Sequence, residues 1–316
     1  MPIFTTAIRC FEEVVRHGSI RRAAEHLNLT GSAVNRQILR LEEELGTALF
    51  ERLPRGMRLS AAGELLLGSI RRQKRDLQST LSQFEALRGL RQGHVVIAVL
   101  SYLSEAYLAP FIVGFRKDYP GITFTVLSGN SEQVIKHMLD GTADIGFGYQ
   151  PRRGLHLTRV IDWSMRFGAV MSTDHPLASQ QQIRLRDCMA YPLVLPEMGM
   201  ESRTFAEQFG LGRWPDRLVA VETNSFPTLL GLVKAGAGIG FMAELDTMIE
   251  AARGSIVFRP LAESSAPVPR LCLTVKAERT LPFATSIALK RLSEAMQQLV
   301  DEMQASAARH DSAPTA

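Results

Sequence analysis

Cysteine is scarce, with Cys10, Cys188 and Cys272 alone in a chain of 316 residues. An odd, scattered set gives no disulfide framework and no metal-ligand spacing, which fits a reducing compartment. No run approaches the ~20 apolar residues of a membrane span, and the strand-like stretch 95–100 is far too short. The opening MPIFTTAIRC lacks a basic region followed by an apolar core, so a cytoplasmic protein without membrane partners is expected. Catalytic signatures are missing as well: there is no GxSxG, no HExxH and no phosphate loop. Gly236, Gly238 and Gly240 fall out of the GxGxxG register because Phe241 follows, so they read as packing glycines. The seven histidines read as isolated, with His175 before Pro176 in a turn, and Cys188 and Cys272 read as small core hydrophobes. No cofactor, no metal and no enzymatic activity are therefore expected.

What is present is globular: 46% hydrophobic and 22% charged residues, enough length for two or three domains. The net charge of +4 is uneven. Residues 1–92 hold 15 basic and 10 acidic side chains, and the rest hold 21 and 22. All the excess positive charge lies in the first third, and nearly all of it is arginine, which points to a polyanion there.

The first ninety residues carry helical periodicity. Phe4, Ile8, Phe11 and Val15 form one apolar stripe, ended by His17-Gly18. Ser19 is expected to cap a short second helix through Leu27, and Thr30 a third running to Leu45, with Gly46 closing it. Val34, Ile38, Leu41 and Leu45 form the third helix's inward face. Residues 49–59, with Pro54-Arg55-Gly56 inside, read as a hairpin. From Ser60 to Gly89 a heptad seam of Leu66, Ile70, Leu77, Phe84 and Leu87, interrupted by Gln73 and Thr80, predicts a dimerisation helix.

Beyond Gly93 strands and helices alternate. Strands are expected at 94–100, 122–127, 143–148, 166–171, 193–195, 217–222, 238–242 and 271–276. Helices are expected at 105–119, 132–140, 202–209, 228–235 and 283–304. That rhythm predicts an α/β region with mostly parallel sheets, and its size predicts two lobes. The division expected is 1–60 for the basic, mostly helical N-terminal domain, 61–92 for a linker helix and hinge, and 93–304 for the α/β region. Within it, 93–162 with 267–304 form one lobe and 163–266 the other, and 305–316 form a disordered tail.

Helices two and three have helix-turn-helix spacing, with Ala24 and Leu27 buried against Val34 and Ile38. The face left outward holds Thr30, Gly31, Ser32, Asn35, Arg36, Gln37, Leu39 and Arg40. Asn35 can pair with an adenine edge, and Arg36 and Arg40 can meet phosphate or guanine. Arg55 and Arg58, on the hairpin, sit where a wing touches an adjacent groove or backbone.

The stretch FEEVVRHGSIRRAAEHLNLTGSAVNRQILRLEEELGTALFERLPRGMRLSAAGELLL resembles the winged helix-turn-helix of LysR-type transcriptional regulators. The segments DHPLASQQQIRLRDCMAYPLVLP and VETNSFPTLLGLVKAGAGIGFM resemble the co-inducer domain of the same family. The resemblance implies an all-α winged domain joined to a bilobed α/β effector domain like the type 2 periplasmic binding proteins. It also implies double-stranded DNA, a small-molecule effector, RNA polymerase and further copies of the chain, as homodimer or homotetramer, as partners. Two positions depart from the family: Gly31 stands where Gln is usual, and Asn35 where Ser is usual. The first removes a common base-edge contact, so the operator preference is expected to differ.

In two-lobed α/β proteins a ligand sits beyond strand carboxyl ends, where helix N-termini converge. Four loops qualify: 100–104, 128–131, 197–202 and 223–225. They nominate Ser101, Tyr102, Ser104, Ser128, Gly129, Asn130, Met198, Ser202, Thr223, Asn224 and Ser225, with Phe147 and Tyr102 as an apolar wall. Hydroxyls, amides and orphan N–H groups suit a polar effector, expected to be an organic anion. Two rival functions stand beside this one: a small-molecule-binding enzyme with an accessory DNA-binding domain, and an effector-independent DNA binder. The first lacks a catalytic constellation, and the second has no use for a large α/β region.

Overall fold

The computed structural model describes residues 5–53, 56–87, 92–149, 156–207, 218–277 and 281–311. It divides into two compact units, residues 1–80 and 81–316.

In the first unit, α1 (Thr6–His17) starts where Thr5 accepts from the Ile8 N–H and ends at Gly18, whose φ of 61° few other residues adopt. Next comes α2 (Ile20–Leu27), ended by Asn28 at φ 54°. Ser19 occupies its cap position, but the side chain makes no capping bond, contrary to the expectation. For α3 (Gly31–Leu45), Thr30 accepts from the Ala33 N–H at 3.2 Å and Gly46 closes the C-terminus. The hairpin follows, β1 (Phe50–Leu53) antiparallel to β2 (Gly56–Leu59), with Glu51 opposite Arg58. Glu42 of α3 accepts from the Leu49 N–H at 2.7 Å and so holds the hairpin's first strand.

The core of this unit joins Phe11, Val14, Ala24, Val34, Ile38 and Leu49 to Leu67 and Ile70 of α4 (Ala61–Leu87). Apart from Ala24, each such side chain stabilises by roughly 1.5–3 kcal/mol on burial. The heptad seam is corrected here. Ile70 is 3% exposed inside this core, so it is not free for a partner helix, while Leu66 is half-buried against the same core. Farther along α4, Leu81 and Phe84 stand exposed. The Leu87 side chain lies outside the described residues.

The second unit opens with β3 (Gly93–Leu100), which runs straight into α5 (Ser101–Leu103), a π-helical turn (Ser104–Leu108) and α6 (Ala109–Asp118). The helix thus begins four residues before the expected start at 105. Then come β4 (Ile122–Gly129), α7 (Ser131–Leu139), β5 (Ile145–Tyr149) and β6 (Leu157–Ser164). They are followed by β7 (Phe167–Met171), α8 (Leu185–Cys188), β8 (Leu193–Pro196), α9 (Glu201–Ala206) and β9 (Val219–Thr223). The chain continues through α10 (Phe226–Lys234), β10 (Gly240–Ala243), α11 (Glu244–Ala252) and β11 (Val257–Pro260). It finishes with β12 (Arg270–Lys276) and α12 (Phe283–Asp311).

One five-stranded sheet has the order β4-β3-β5-β12-β6, and the other lobe holds a three-stranded sheet β10-β7-β11 beside the pair β8-β9. The expectation of mostly parallel sheets is corrected. Pairs β3-β4, β3-β5 and β8-β9 are parallel, while β12 runs antiparallel to β5 and β6, and β7 to β10 and β11. The reversal in the first lobe has a simple source: the chain leaves along β6, which points the same way as β3, β4 and β5, and returns along β12, which alone points against them. Valines and isoleucines of β3 pack on Leu271, Leu273, Leu292 and Met296, and Phe167, Leu193, Ile239 and Phe241 fill the second lobe. Gly238 lets β10 approach, because a Cβ there would lie 2.4 Å from the Pro192 carbonyl oxygen. The tail is corrected too: α12 stays helical through Asp311, and residues 312–316 lie outside the described ones. The three cysteines are buried and unpaired. Among the described residues no helix is long and apolar enough to cross a membrane.

Candidate DNA-reading surface and effector cleft

On α3 the stripe Val34, Ile38 and Leu41 is buried, which turns Ser32, Arg36, Leu39 and Arg40 to the exterior and leaves Gly31, Asn35 and Gln37 half-exposed. Thr30 Oγ1 lies 3.1 Å from Ser32 Oγ at the helix start. Arg40 pairs with Glu44 at 2.8 Å one turn on, and Arg58 pairs with Glu51 across the hairpin at 2.5 Å. Both pairs are exposed and screened by solvent, so each adds little to stability and can yield to a phosphate. Gly31 is not demanded by the fold: a Cβ there meets nothing within 4 Å. Arg55 lies outside the described residues.

In the second unit the four loops converge on a cavity of about 660 Å³ between the two sheets. Of the nominated residues, Ser101, Tyr102, Ser128, Gly129, Asn130, Met198, Ser202, Asn224 and Ser225 line it. Three do not. Phe147 is fully buried: it shares a face of β5 with Tyr149 but lies two residues deeper, so Tyr149 reaches the cavity and Phe147 packs into the core. Ser104 falls in the π-helical turn, because the helix starts at Ser101. Thr223 turns its hydroxyl onto the Ser225 N–H at 3.1 Å.

Several lining residues also build the frame. Asn130 and Gln133 form a capping box on α7, each side chain accepting from the other's N–H at 2.9 and 3.0 Å. Gly129 leaves room for it, since a Cβ would lie 2.3 Å from Gln133 Oε1. Ser225 accepts from the Thr228 N–H and hydroxyl at the start of α10. Ser101 opens its helix without a side-chain cap before it.

The floor of the cavity was not legible in the sequence. Tyr149 donates to Asp246 Oδ1 at 2.8 Å, and the hydroxyls of Tyr102 and Tyr107 both donate to the Leu245 carbonyl at 2.8 Å. Tyr102 also packs against Phe226, with centroids 4.5 Å apart and the rings tilted by 44°. These contacts tie the first lobe to the start of α11 in the second. Burial pushes the Asp246 carboxyl up to about 7, against the bonds from Tyr149 and the Ala243 backbone. Burial likewise raises Tyr149, Tyr102 and Tyr107, the last to about 12. Ser131 Oγ, also in the wall, is buried and has no hydrogen-bond partner among the described residues.

The charge of the wall is a further finding. Its described residues include Glu132, Glu197, Glu201 and Asp246, and no Lys, Arg or His. An anion bound there relies on helix N-termini and hydroxyls alone.

Two family models cover most of the chain. "Bacterial regulatory helix-turn-helix protein, lysR family" matches residues 5–64, and "LysR substrate binding domain" matches residues 88–303. Among named proteins, the chain is 31% identical to the HTH-type transcriptional regulator CbbR of Xanthobacter flavus over 276 residues, 85% of this chain and 81% of that one. It is 27% identical to the HTH-type transcriptional activator CmpR of a Synechocystis strain over 251 residues, 78% and 81% of the two. Among solved structures, full-length CbnR in complex with its target DNA superimposes with a TM-score of 0.63 at 21% identity, over 92% of this chain and 98% of that one. A full-length OxyR variant from Pseudomonas aeruginosa gives 0.63 at 18% identity, over 93% and 95%.

Proposed function

The chain belongs to the lysR family of bacterial helix-turn-helix transcriptional regulators, and from that premise we propose how its own residues carry the work. The α3 face reads an operator. Asn35 and Gln37 address base edges, while Ser32, Arg36 and Arg40, with Arg58 from the hairpin, anchor the phosphates. A small polar effector binds in the cavity of the second unit. Ser101, Ser128 and Ser131 hydrogen-bond to it, and the Tyr102–Phe226 pair packs against its apolar part. The protein acts on DNA, without enzymatic chemistry, in the cytoplasm as a homo-oligomer through α4, and passes its signal to RNA polymerase.

The observation that carries this reading is the cavity itself, whose walls come from both lobes and whose floor holds them together through Tyr102, Tyr107 and Tyr149. A ligand that prefers one lobe arrangement shifts the regulator only by its differential affinity for the two. The test is calorimetry of the full-length protein against a panel of small organic acids and amines. Any ligand found is then carried into a footprint on operator DNA. Saturable binding with a changed footprint supports the reading, and a footprint insensitive to every bound ligand counts against it.

A further inference from the structure

We propose that Glu13, His17 and His26 form a binding site for a divalent transition metal of the zinc class within the helix-turn-helix unit. Glu13 and His17 are one turn apart in α1, so helical geometry stacks them on one face. Gly18 ends α1, the chain turns back, and His26 in the last turn of α2 meets the same face. The histidines that read as isolated in the sequence are neighbours here: the His17 and His26 rings stack with centroids 4.2 Å apart and planes at 15°.

The spacing suits a metal. Glu13 Oε2 lies 3.2 Å from His17 Nε2, and one ligand atom from each of the three residues lies within 4.8 Å of the others. Two ligands on a tetrahedral zinc, at ~2.0–2.1 Å each, stand about 3.4 Å apart. The Glu13–His17 pair already stands near that separation, and the exposed His26 ring rotates out of its stack on His17 to bring its in-plane lone pair onto the same ion.

Glu13 Oε2 and His17 Nε2 face each other as an ion pair at 3.2 Å without a hydrogen bond between them. Both atoms are buried and make no hydrogen bond among the described residues, while Glu13 Oε1 takes Arg16 at 2.8 Å. Two electron-pair-bearing atoms that face each other repel unless a cation lies between them. A proton on His17 answers for those two atoms, and a metal ion answers for all three residues. Imidazole with a carboxylate selects zinc and its neighbours over magnesium or calcium, which take all-oxygen shells. Three protein ligands leave the fourth position to water. The ion would pin the end of α1 to the end of α2, just before the turn that presents α3.

Calorimetric titration of the full-length protein with zinc chloride, in excess magnesium, tests this. The expected result is one tight equivalent per chain, weakened at least tenfold by His17→Gln and by His26→Gln. Zinc should also raise the melting temperature of the wild type and of neither variant. His26 is exposed, so its variant leaves the core intact. Wild-type zinc affinity in His26→Gln, or no tight equivalent in the wild type, would overturn the site and leave a proton between Glu13 and His17.

Discussion

The phenol of Tyr149 reaches out of the first lobe and donates to Asp246 Oδ1, 2.8 Å away in the second, at the floor of the cavity. Asp246 is 6% exposed, and burial raises its pKa to about 7. The folded state therefore binds its proton more tightly than the unfolded chain does. Stability from this group is full below the unfolded value, near 4, and falls as pH rises toward 7. Asp246→Asn keeps an oxygen for Tyr149 and removes the charge. It should raise stability at pH 8 by on the order of 2–4 kcal/mol and leave it unchanged at pH 4. Urea unfolding at the two pH values checks this, and an equal effect at both would show that Asp246 is not protonated near neutrality.

On α3 Arg36 is exposed and Asn35 half-exposed, and the proposed division gives positioning to the first and reading to the second. Arg36→Ala should weaken binding to all duplexes alike and lower the salt slope by about 1. Asn35→Ala should reduce discrimination among operator variants by roughly 1–3 kcal/mol. Filter binding over a salt series separates the two, and equal losses on specific and nonspecific DNA from Asn35→Ala would remove its reading role.

Gly31 opens α3 in free space. Gly31→Ala should stabilise the protein by up to about 1 kcal/mol, less because the position is terminal. If the bare backbone is there to approach a phosphate, DNA affinity falls in the same variant although stability rises. A thermal melt and an affinity measurement on one preparation test both halves.

Along α4, burial separates two roles that the heptad count had merged. Ile70→Ala should cost about 2–5 kcal/mol of the helix unit's stability without changing the oligomer. Phe84→Asp, at a 55% exposed position, should leave that stability alone and lower the sedimenting mass at micromolar concentration. An unchanged mass would take the exposed end of α4 out of the interface.

Local signals were the legible ones. Thr30, Gly46 and the stripe Val34-Ile38-Leu41 fix α3 within a few residues of sequence and lie where expected, but Leu45, expected on the same inward face, is exposed because the helix runs past the core it packs on. Depth was not legible. The strand expected at 143–148 stops one residue short of Tyr149, and only the third dimension tells that Tyr149 reaches the cavity while Phe147, on the same face of β5, packs into the core. Heptad spacing could not say that Ile70 faces its own domain. Asp246 escaped notice because its neighbour Tyr149 is 97 residues away, and sequence spacing carries no trace of that pairing. The stack of His17 on His26 escaped for the same reason across a shorter distance, although the Glu13–His17 spacing was visible.

In the proposed function a ligand in the cavity of the second unit governs DNA binding by the first. Ser101 is the residue to change, because it lines the cavity and no capping bond depends on it. Footprints of wild type and Ser101→Val on the same operator, with and without a ligand found by calorimetry, give the measurement. The predicted result is an unchanged footprint without ligand, operator affinity within about twofold of wild type because distant sites act independently, and a lost response to the ligand. A full response in Ser101→Val at the wild-type ligand concentration would contradict the account.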